Sequence, residues 1–342
     1  MKAAIHNPYL DTLGGGERYV LTFAKVLAEE GYEVDIEWKD QKIVQSLEKR
    51  FGEKLNNNIK VIPDIKRGDG YDLCFWVSDG SIPSLKARKN ILHFQVPFKG
   101  VSGNTLLNKM KLFRVDHIVC NSEFTRRFID HEYGVESVVV YPPVDTKRFI
   151  PKTKENVILF VGRFSELLQS KGQEILVKEF KKFYDKGNRD WKLYLAGGVE
   201  VGVSSILDKI KKDSKGYPIK IITSPSFSDL KELYATSKIY WSATGYGVDE
   251  EKDPKKVEHF GITLVEAMSA GNVPVVFSAG GYKEIISDGE NGFLWKKLMG
   301  LQKNTSLLAG NSELVKKMAK QARKSSEKFS YERFRSDIKK IL

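Results

Sequence analysis

Two glutamates with seven residues between them stand in EHFGITLVEAMSAG, Glu258 just ahead of a helical pattern and Glu266 inside it. The surroundings of Glu266, LVEAMSAG, are otherwise apolar, so its carboxylate must be paired or hydrogen-bonded; buried alone it would cost several kcal/mol. Between the two carboxylates, Phe260, Gly261 and Ile262 form a turn with free backbone N–H groups. Carboxylates accept from hydroxyls and a helix start receives phosphate, so such a set can hold a ligand that is both hydroxylated and phosphorylated. One exposed and one salt-bridged glutamate would satisfy the same residues.

Three further places carry chemistry. In GRFSELLQSKGQ, Arg163 and Lys171 follow the end of an apolar strand, where two cations could clamp a diphosphate, the arginine by its fork and the lysine as a point charge; a solvated charged loop is the alternative. LGGGER (13–18) puts glycines after a strand and before a helix, where a ligand can approach backbone N–H groups. It lacks the full dinucleotide-binding spacing, and a tight turn without a ligand fits it equally. In ILHFQVPF, His93 ends an apolar strand and would point towards a cleft; a satisfied core histidine is the other reading.

The elements that must position these residues alternate along the chain. Strands are predicted over 2–6, 32–38, 59–63, 72–77, 90–94, 116–120 and 137–143, then over 157–162, 191–197, 219–223, 238–243 and 273–278. Helical patterns lie between them. Val20, Phe23, Ala24 and Leu27 share one face of the first, Ser122 is a candidate N-cap, and others cover 172–186, 202–213, 228–236 and 262–270. Strand–helix–strand repetition implies α/β architecture with parallel sheets covered on both faces. Two doubly wound domains are expected, 1–150 and 151–326, with a last helix in 327–342 free to pack back towards the first. Ligands on such sheets bind at the carboxyl ends of the strands.

Composition narrows the classes. At 342 residues with 41% hydrophobic and 29% charged residues, the chain has enough apolar mass for two cores and is not a disordered polymer. Two cysteines, Cys74 and Cys120, each in an apolar run, exclude a disulfide framework and a four-cysteine zinc site. No run of about 18 apolar residues occurs and the first residues carry no apolar leader pattern, which is read as a cytoplasmic chain without a membrane span. The net charge of +12 admits nucleic acid, anionic lipid or phosphorylated small molecules as partners. No RNA-binding, zinc-finger or helix-turn-helix pattern accompanies it, so no nucleic-acid partner is expected.

Together these stretches resemble the family-4 retaining glycosyltransferases of GT-B fold, two Rossmann-like domains facing each other across a cleft. The resemblance rests on Glu258 and Glu266 in EHFGITLVEAMSAGNVPVVFSAGGYKEIISDGENGFLW, on LGGGER, VCNSEFTRRFI and VVVYPPVDTKRF before the linker, and on VGRF…KG after it. The acidic insertion ahead of EHFGI marks a subgroup, and GGGER and YPPVD are similar to those of mannosyltransferases that build lipid-linked oligosaccharides.

The resemblance implies a role for each residue. Arg163 and Lys171 bind the donor diphosphate and stabilise the leaving group, although their eight-step separation is longer than in many members. Glu266 accepts from the ribose hydroxyls, and Glu258 contacts the transferred sugar. Backbone N–H groups around Phe260, Gly261, Ile262 and Thr263 face phosphate and sugar. Gly15 and Gly16 lie against the phosphates or the acceptor, and His93 matches the family's active-site histidine. Thr223, Ser224 and Leu230 fall where the base is held.

The implied reaction transfers a hexose, mannose first, from GDP-mannose or a UDP-sugar to a glycan or lipid-linked acceptor. The anomeric configuration is retained by front-side attack, and no metal or resident cofactor is needed. A non-catalytic sugar-nucleotide or glycan-binding protein on the same fold is the main alternative. Residues 99–115, KGVSGNTLLNKMKLFRV, interleave apolar and basic side chains. Such a segment either rests peripherally on an anionic cytoplasmic membrane face or packs as an ordinary amphipathic helix on its own domain.

Overall fold

The computed structural model describes residues 1–52, 54–164, 169–199 and 204–342, and the chain divides into two units, 1–143 with 331–342 and 144–330. The first unit runs β1 (Lys2–His6), α1 (Gly15–Glu29), β2 (Glu33–Glu37), α2 (Ile43–Phe51), β3 (Ile59–Ile62), β4 (Leu73–Val77), β5 (Lys89–Phe94), α3 (Leu106–Leu112), β6 (His117–Cys120), α4 (Glu123–Tyr133) and β7 (Val138–Val139). Its strands form a parallel sheet in the order β3-β2-β1-β4-β5-β6-β7. Val20, Phe23, Ala24 and Leu27 are fully buried on the sheet-facing side of α1, as their i, i+3, i+4, i+7 spacing requires. Ser122 caps α4 by accepting from the Thr125 N–H, and Gly134 ends it in the left-handed conformation.

The second unit runs β8 (Glu155–Val161), α5 (Gln173–Asp185), β9 (Lys192–Gly197), α6 (Ser204–Asp213), β10 (Ile219–Thr223), α7 (Phe227–Thr236), β11 (Ser237–Ser242), α8 (Ile262–Ser269), β12 (Val273–Phe277), α9 (Tyr282–Ile285), β13 (Phe293–Trp295), α10 (Leu298–Ala309) and α11 (Ser312–Ser326). Its parallel sheet has the order β10-β9-β8-β11-β12-β13. In each sheet the strand order reverses beside the first strand, at β1/β4 and at β8/β11. Chains leaving such neighbours turn opposite ways and open a crevice at the carboxyl edge. Both units are therefore Rossmann-like. Cys74 and Cys120 are buried free thiols, and burial pushes both up to about 12.

The last helix, α12 (Tyr331–Lys339), belongs to the first unit. Phe334, Ile338 and Ile341 are buried in the same core as α1 and β1, and Phe334 meets Tyr19 edge-on at 5.0 Å. The unit boundaries differ from 150 and 327. Val144 donates its N–H to the Phe329 carbonyl at 2.8 Å and bridges Ser330, which draws both segments into the second unit. The strand expected over 137–143 shrinks to two residues, because Pro142 and Pro143 have no N–H to give a ladder. Residues 202–203 of the expected helix 202–213 lie outside the described residues.

Candidate functional site

At the carboxyl edge of the second sheet the chain leaves β8 through Gly162 and Arg163. A Cβ on Gly197, at the end of β9, would stand 1.9 Å from the Gly162 carbonyl oxygen, so only glycine lets the two strand ends meet. The turn is fixed from α5, where the Gln173 amide donates to the Arg163 carbonyl at 2.8 Å. Arg163 itself is exposed. Residues 165–168, between the two expected cations, lie outside the described residues.

Lys171 reaches across to the Glu258 carboxylate, Nζ to Oε2 2.9 Å, with both side chains mostly buried. Its ammonium also donates to Gln169, whose amide donates to the Val257 carbonyl. Burial alone pushes the Glu258 carboxyl up, but the Lys171 charge and hydrogen bond, helped by His259 and Tyr282, hold it below the usual carboxylate range. The Glu258 carboxylate is thus charged at neutral pH.

Gly261 precedes α8 with φ 118°, and no side chain caps this helix. A Cβ there would stand 2.7 Å from the Tyr282 ring, so both conformation and space demand glycine. The loop is braced from behind: Gly281 donates to the Glu258 carbonyl at 2.8 Å, and a Cβ on Gly280 would overlap that oxygen at 2.0 Å. Glu250, in the acidic insertion, accepts from the Gly280 N–H at 2.8 Å and pairs with Lys283. At least this member of the insertion is a structural tie.

Three tyrosines hold the polar groups of the site. Tyr234 donates its hydroxyl to Glu266 Oε2 at 2.9 Å in a buried contact, which supplies the partner that the apolar context of Glu266 demands. Tyr240 shares a hydrogen bond of 2.9 Å with Thr263 Oγ1. Tyr282 donates to Ser242 Oγ at 2.9 Å and stands 3.5 Å from Glu258 Oε2. Burial raises the Tyr240 and Tyr282 hydroxyls, which keeps them protonated donors. Sequence reasoning did not single out these tyrosines. Their signal was the polar tip, which needs a partner once the ring is buried.

The remaining positions of the second unit lie on the same edge. Thr223 and Ser224 are exposed at the end of β10, Ser224 with φ 48° and its N–H donated to the Gly197 carbonyl at 2.7 Å. Leu230 is buried on α7. The Phe260 ring packs edge-on against Phe329 at 5.2 Å, which leaves its backbone as the part that can meet a ligand. Thus Arg163, Lys171, Thr223, Ser224, Glu258, Gly261, Ile262, Thr263 and Glu266 surround one carboxyl edge.

The first unit treats its expected residues differently. Gly15 opens α1, but Glu17 folds back on that start, accepting from the Gly14 N–H at 2.7 Å and the Thr12 hydroxyl at 2.8 Å. Gly16 lies under the Gln95 side chain, whose amide donates to its carbonyl at 3.2 Å. His93 corrects the expectation of an edge residue pointing into a cleft. It is fully buried, its ring stacked 4.2 Å from Tyr19 and 5.2 Å from Phe75. Nδ1 hydrogen-bonds the Val119 carbonyl at 3.0 Å, and burial drives its pKa down to about 3. A neutral core histidine is what the register of β5 produces here.

A strand–turn–helix edge with two cations, two carboxylates and an uncapped helix start is suited to an anionic, hydroxylated ligand. The sequence pattern of the Glycosyl transferases group 1 family matches residues 144–325, and the chain belongs to that family. An uncharacterized glycosyltransferase from Methanocaldococcus jannaschii is 25% identical across 100% of this chain and 97% of its own length. The lipopolysaccharide core biosynthesis mannosyltransferase LpcC of Rhizobium leguminosarum is 25% identical over 55% of this chain and 52% of its own. A GDP-Man:Man(3)GlcNAc(2)-PP-Dol alpha-1,2-mannosyltransferase of Dictyostelium discoideum is 25% identical over 62% and 43%. Among solved structures, Anabaena HepE in complex with UDP superposes with a TM-score of 0.79 at 17% identity, covering 99% of both chains. Sucrose-phosphate synthase from Thermosynechococcus elongatus superposes at 0.76 and 15%, covering 100% and 98%. At these identities the superpositions establish the GT-B class of fold, and the protein is a glycosyltransferase by family.

Proposed function

We propose that the protein is a retaining glycosyltransferase that moves a hexose, mannose as first choice, from a nucleotide-diphosphate sugar to a glycan or lipid-linked acceptor at a membrane surface. The observation that carries this reading is the Lys171–Glu258 salt bridge beside the uncapped start of α8. In the proposal Lys171 and Arg163 bind the diphosphate, and the N–H groups of Gly261, Ile262 and Thr263 meet phosphate and sugar. Glu258 orients the transferred hexose, Glu266 accepts from the ribose, and Thr223, Ser224 and Leu230 border the base. The acceptor hydroxyl attacks the anomeric carbon from the face the diphosphate leaves. The C–O bond to phosphate breaks, and the departing phosphate oxygen takes the hydroxyl proton. Fixed cations stabilise that charge without a metal ion.

GDP-mannose is favoured by the names of the mannosyltransferase relatives, with UDP-sugars second. The test is thermal unfolding against GDP, UDP, ADP and their sugar conjugates, with and without magnesium. A nucleotide at about 100 times its Kd adds about 2.7 kcal/mol, and each kcal/mol raises the midpoint by about 2–4 °C. A magnesium-independent shift with one base is the expected result. No shift with any nucleotide overturns the proposal.

A further inference from the structure

We propose that the helix α3 and its flanks are a docking surface for an anionic lipid bilayer. Leu106, Leu107, Met110 and Phe113 are 77%, 61%, 66% and 92% exposed, and no residue of α3 is buried. Four large apolar side chains clustered on one short helix and its C-cap residue Phe113 make a patch that water penalises. The expected packing of this helix onto its own domain is confined to one side. With about 100° between successive residues, Leu106, Met110 and Phe113 form one stripe with Leu107 beside it, while Asn108 and Leu112 turn the other way. Leu112 packs against the core of Phe94, Phe98 and Tyr133, and Asn108 donates to the Gly103 carbonyl at 3.0 Å.

The helix is presented rigidly. Thr105 caps it by accepting from the Asn108 N–H. The Glu132 carboxylate accepts from the N–H groups of Gly100 and Val101, both at 2.8 Å, and of Gly103 at 3.2 Å, pinning the entry loop. The apolar stripe therefore faces outward by construction.

Charge selects the occupant. Residues 99–115 contain Lys99, Lys109, Lys111 and Arg114 and no acidic residue. Lys109 and Lys111 lie on opposite flanks of the stripe, where their stems can run along the lipid while the ammonium groups meet headgroup phosphates. An apolar ridge bordered on both sides by lysine matches an anionic interface. A second copy of the same surface would set these lysines against each other. The inference extends the lipid-linked acceptor reading, yet it is tested without turnover.

The measurement is co-sedimentation of the full chain with vesicles of phosphatidylcholine alone and of phosphatidylcholine with phosphatidylglycerol. Binding to the anionic vesicles, lost at high salt, is expected. Phe113→Glu and Met110→Glu should each weaken it about tenfold, since each removes an apolar anchor and adds a repelled charge. Lys109→Glu with Lys111→Glu should abolish it. All these side chains are exposed or half-exposed, so the melting point stays at the parent's, and the nucleotide-induced shift is unaffected. Equal binding of parent and Phe113→Glu, no binding by the parent, or a parent dimer that Phe113→Glu splits would each overturn the docking surface. A nucleotide shift without vesicle binding sinks only this inference; vesicle binding without a nucleotide shift sinks only the glycosyltransferase site.

Discussion

Both units carry a glycine turn leading from a strand into a helix, and both bury a titratable group, but they finish these features in opposite ways. At α8 the helix start has no side-chain cap, and Glu258 behind it is held charged by Lys171. At α1 the helix start is already taken by Glu17, and His93 in the adjoining core is held neutral by burial, its Nδ1 on the Val119 carbonyl. A glycine before a helix announces room for an anion in both sequences. What decides its availability is whether the chain supplies its own carboxylate three residues on. The second unit leaves its helix start without a side-chain cap, and the first closes its own with a carboxylate.

The comparison breaks most visibly at Lys171. Lys171→Met removes the cation that the proposed function sets against the donor diphosphate, and should lower turnover by about 10²–10³-fold. It also strands a mostly buried carboxylate, at a cost of about 3 kcal/mol or more in stability. Because the folded Glu258 carboxyl sits below its unfolded value of about 4.3, its contribution is complete above that pH and is lost as the pH falls below it. Acid unfolding curves of the parent and the variant should therefore converge below about pH 4. An unchanged turnover would separate this lysine from the chemistry.

His93 shifts stability in the same direction at a higher pH, but there it is the neutral form that the fold holds. Its folded pKa of about 3 lies below the unfolded value of about 6.5, so the unfolded chain takes up the proton first. Stability is complete above about pH 6.5 and declines by about 1.4 kcal/mol per unit as the pH falls towards the folded value. His93→Phe keeps a ring against Tyr19 and Phe75, so calorimetry between pH 7 and 5 should show that decline flattened. Turnover at neutral pH should persist, and a folded but inactive variant would return this histidine to the active site.

The smallest effect is expected at Glu17. Glu17→Ala opens the start of α1 and should cost about 1 kcal/mol of stability, with the nucleotide-induced shift intact. A lost shift would mean that the two helix starts serve the same ligand.

Much of the fold was legible because strands buried on both faces leave short apolar runs, and eleven of the twelve expected strands kept most of their length; 137–143 kept only Val138–Val139. β13 escaped because three residues carry no periodicity. In the site, Glu266 was legible as a carboxylate that needed a partner, but the partner was not. Tyr234 lies 32 residues away, and only the folded chain brings the two together. His93 misled because apolar neighbours on both sides fit a strand end facing a ligand and a strand interior equally well; register alone separates them.

The return of α12 to the first unit bears on how the protein is made. Residues 144–330 form one uninterrupted unit, which can condense as soon as it leaves the ribosome. The first unit has its whole sheet synthesised earlier, yet it waits for Phe334, Ile338 and Ile341 to complete the core around α1. Until then the opposing face of α1 and the ring of Tyr19 lack their cover, so the half that is translated first is the half that finishes folding last.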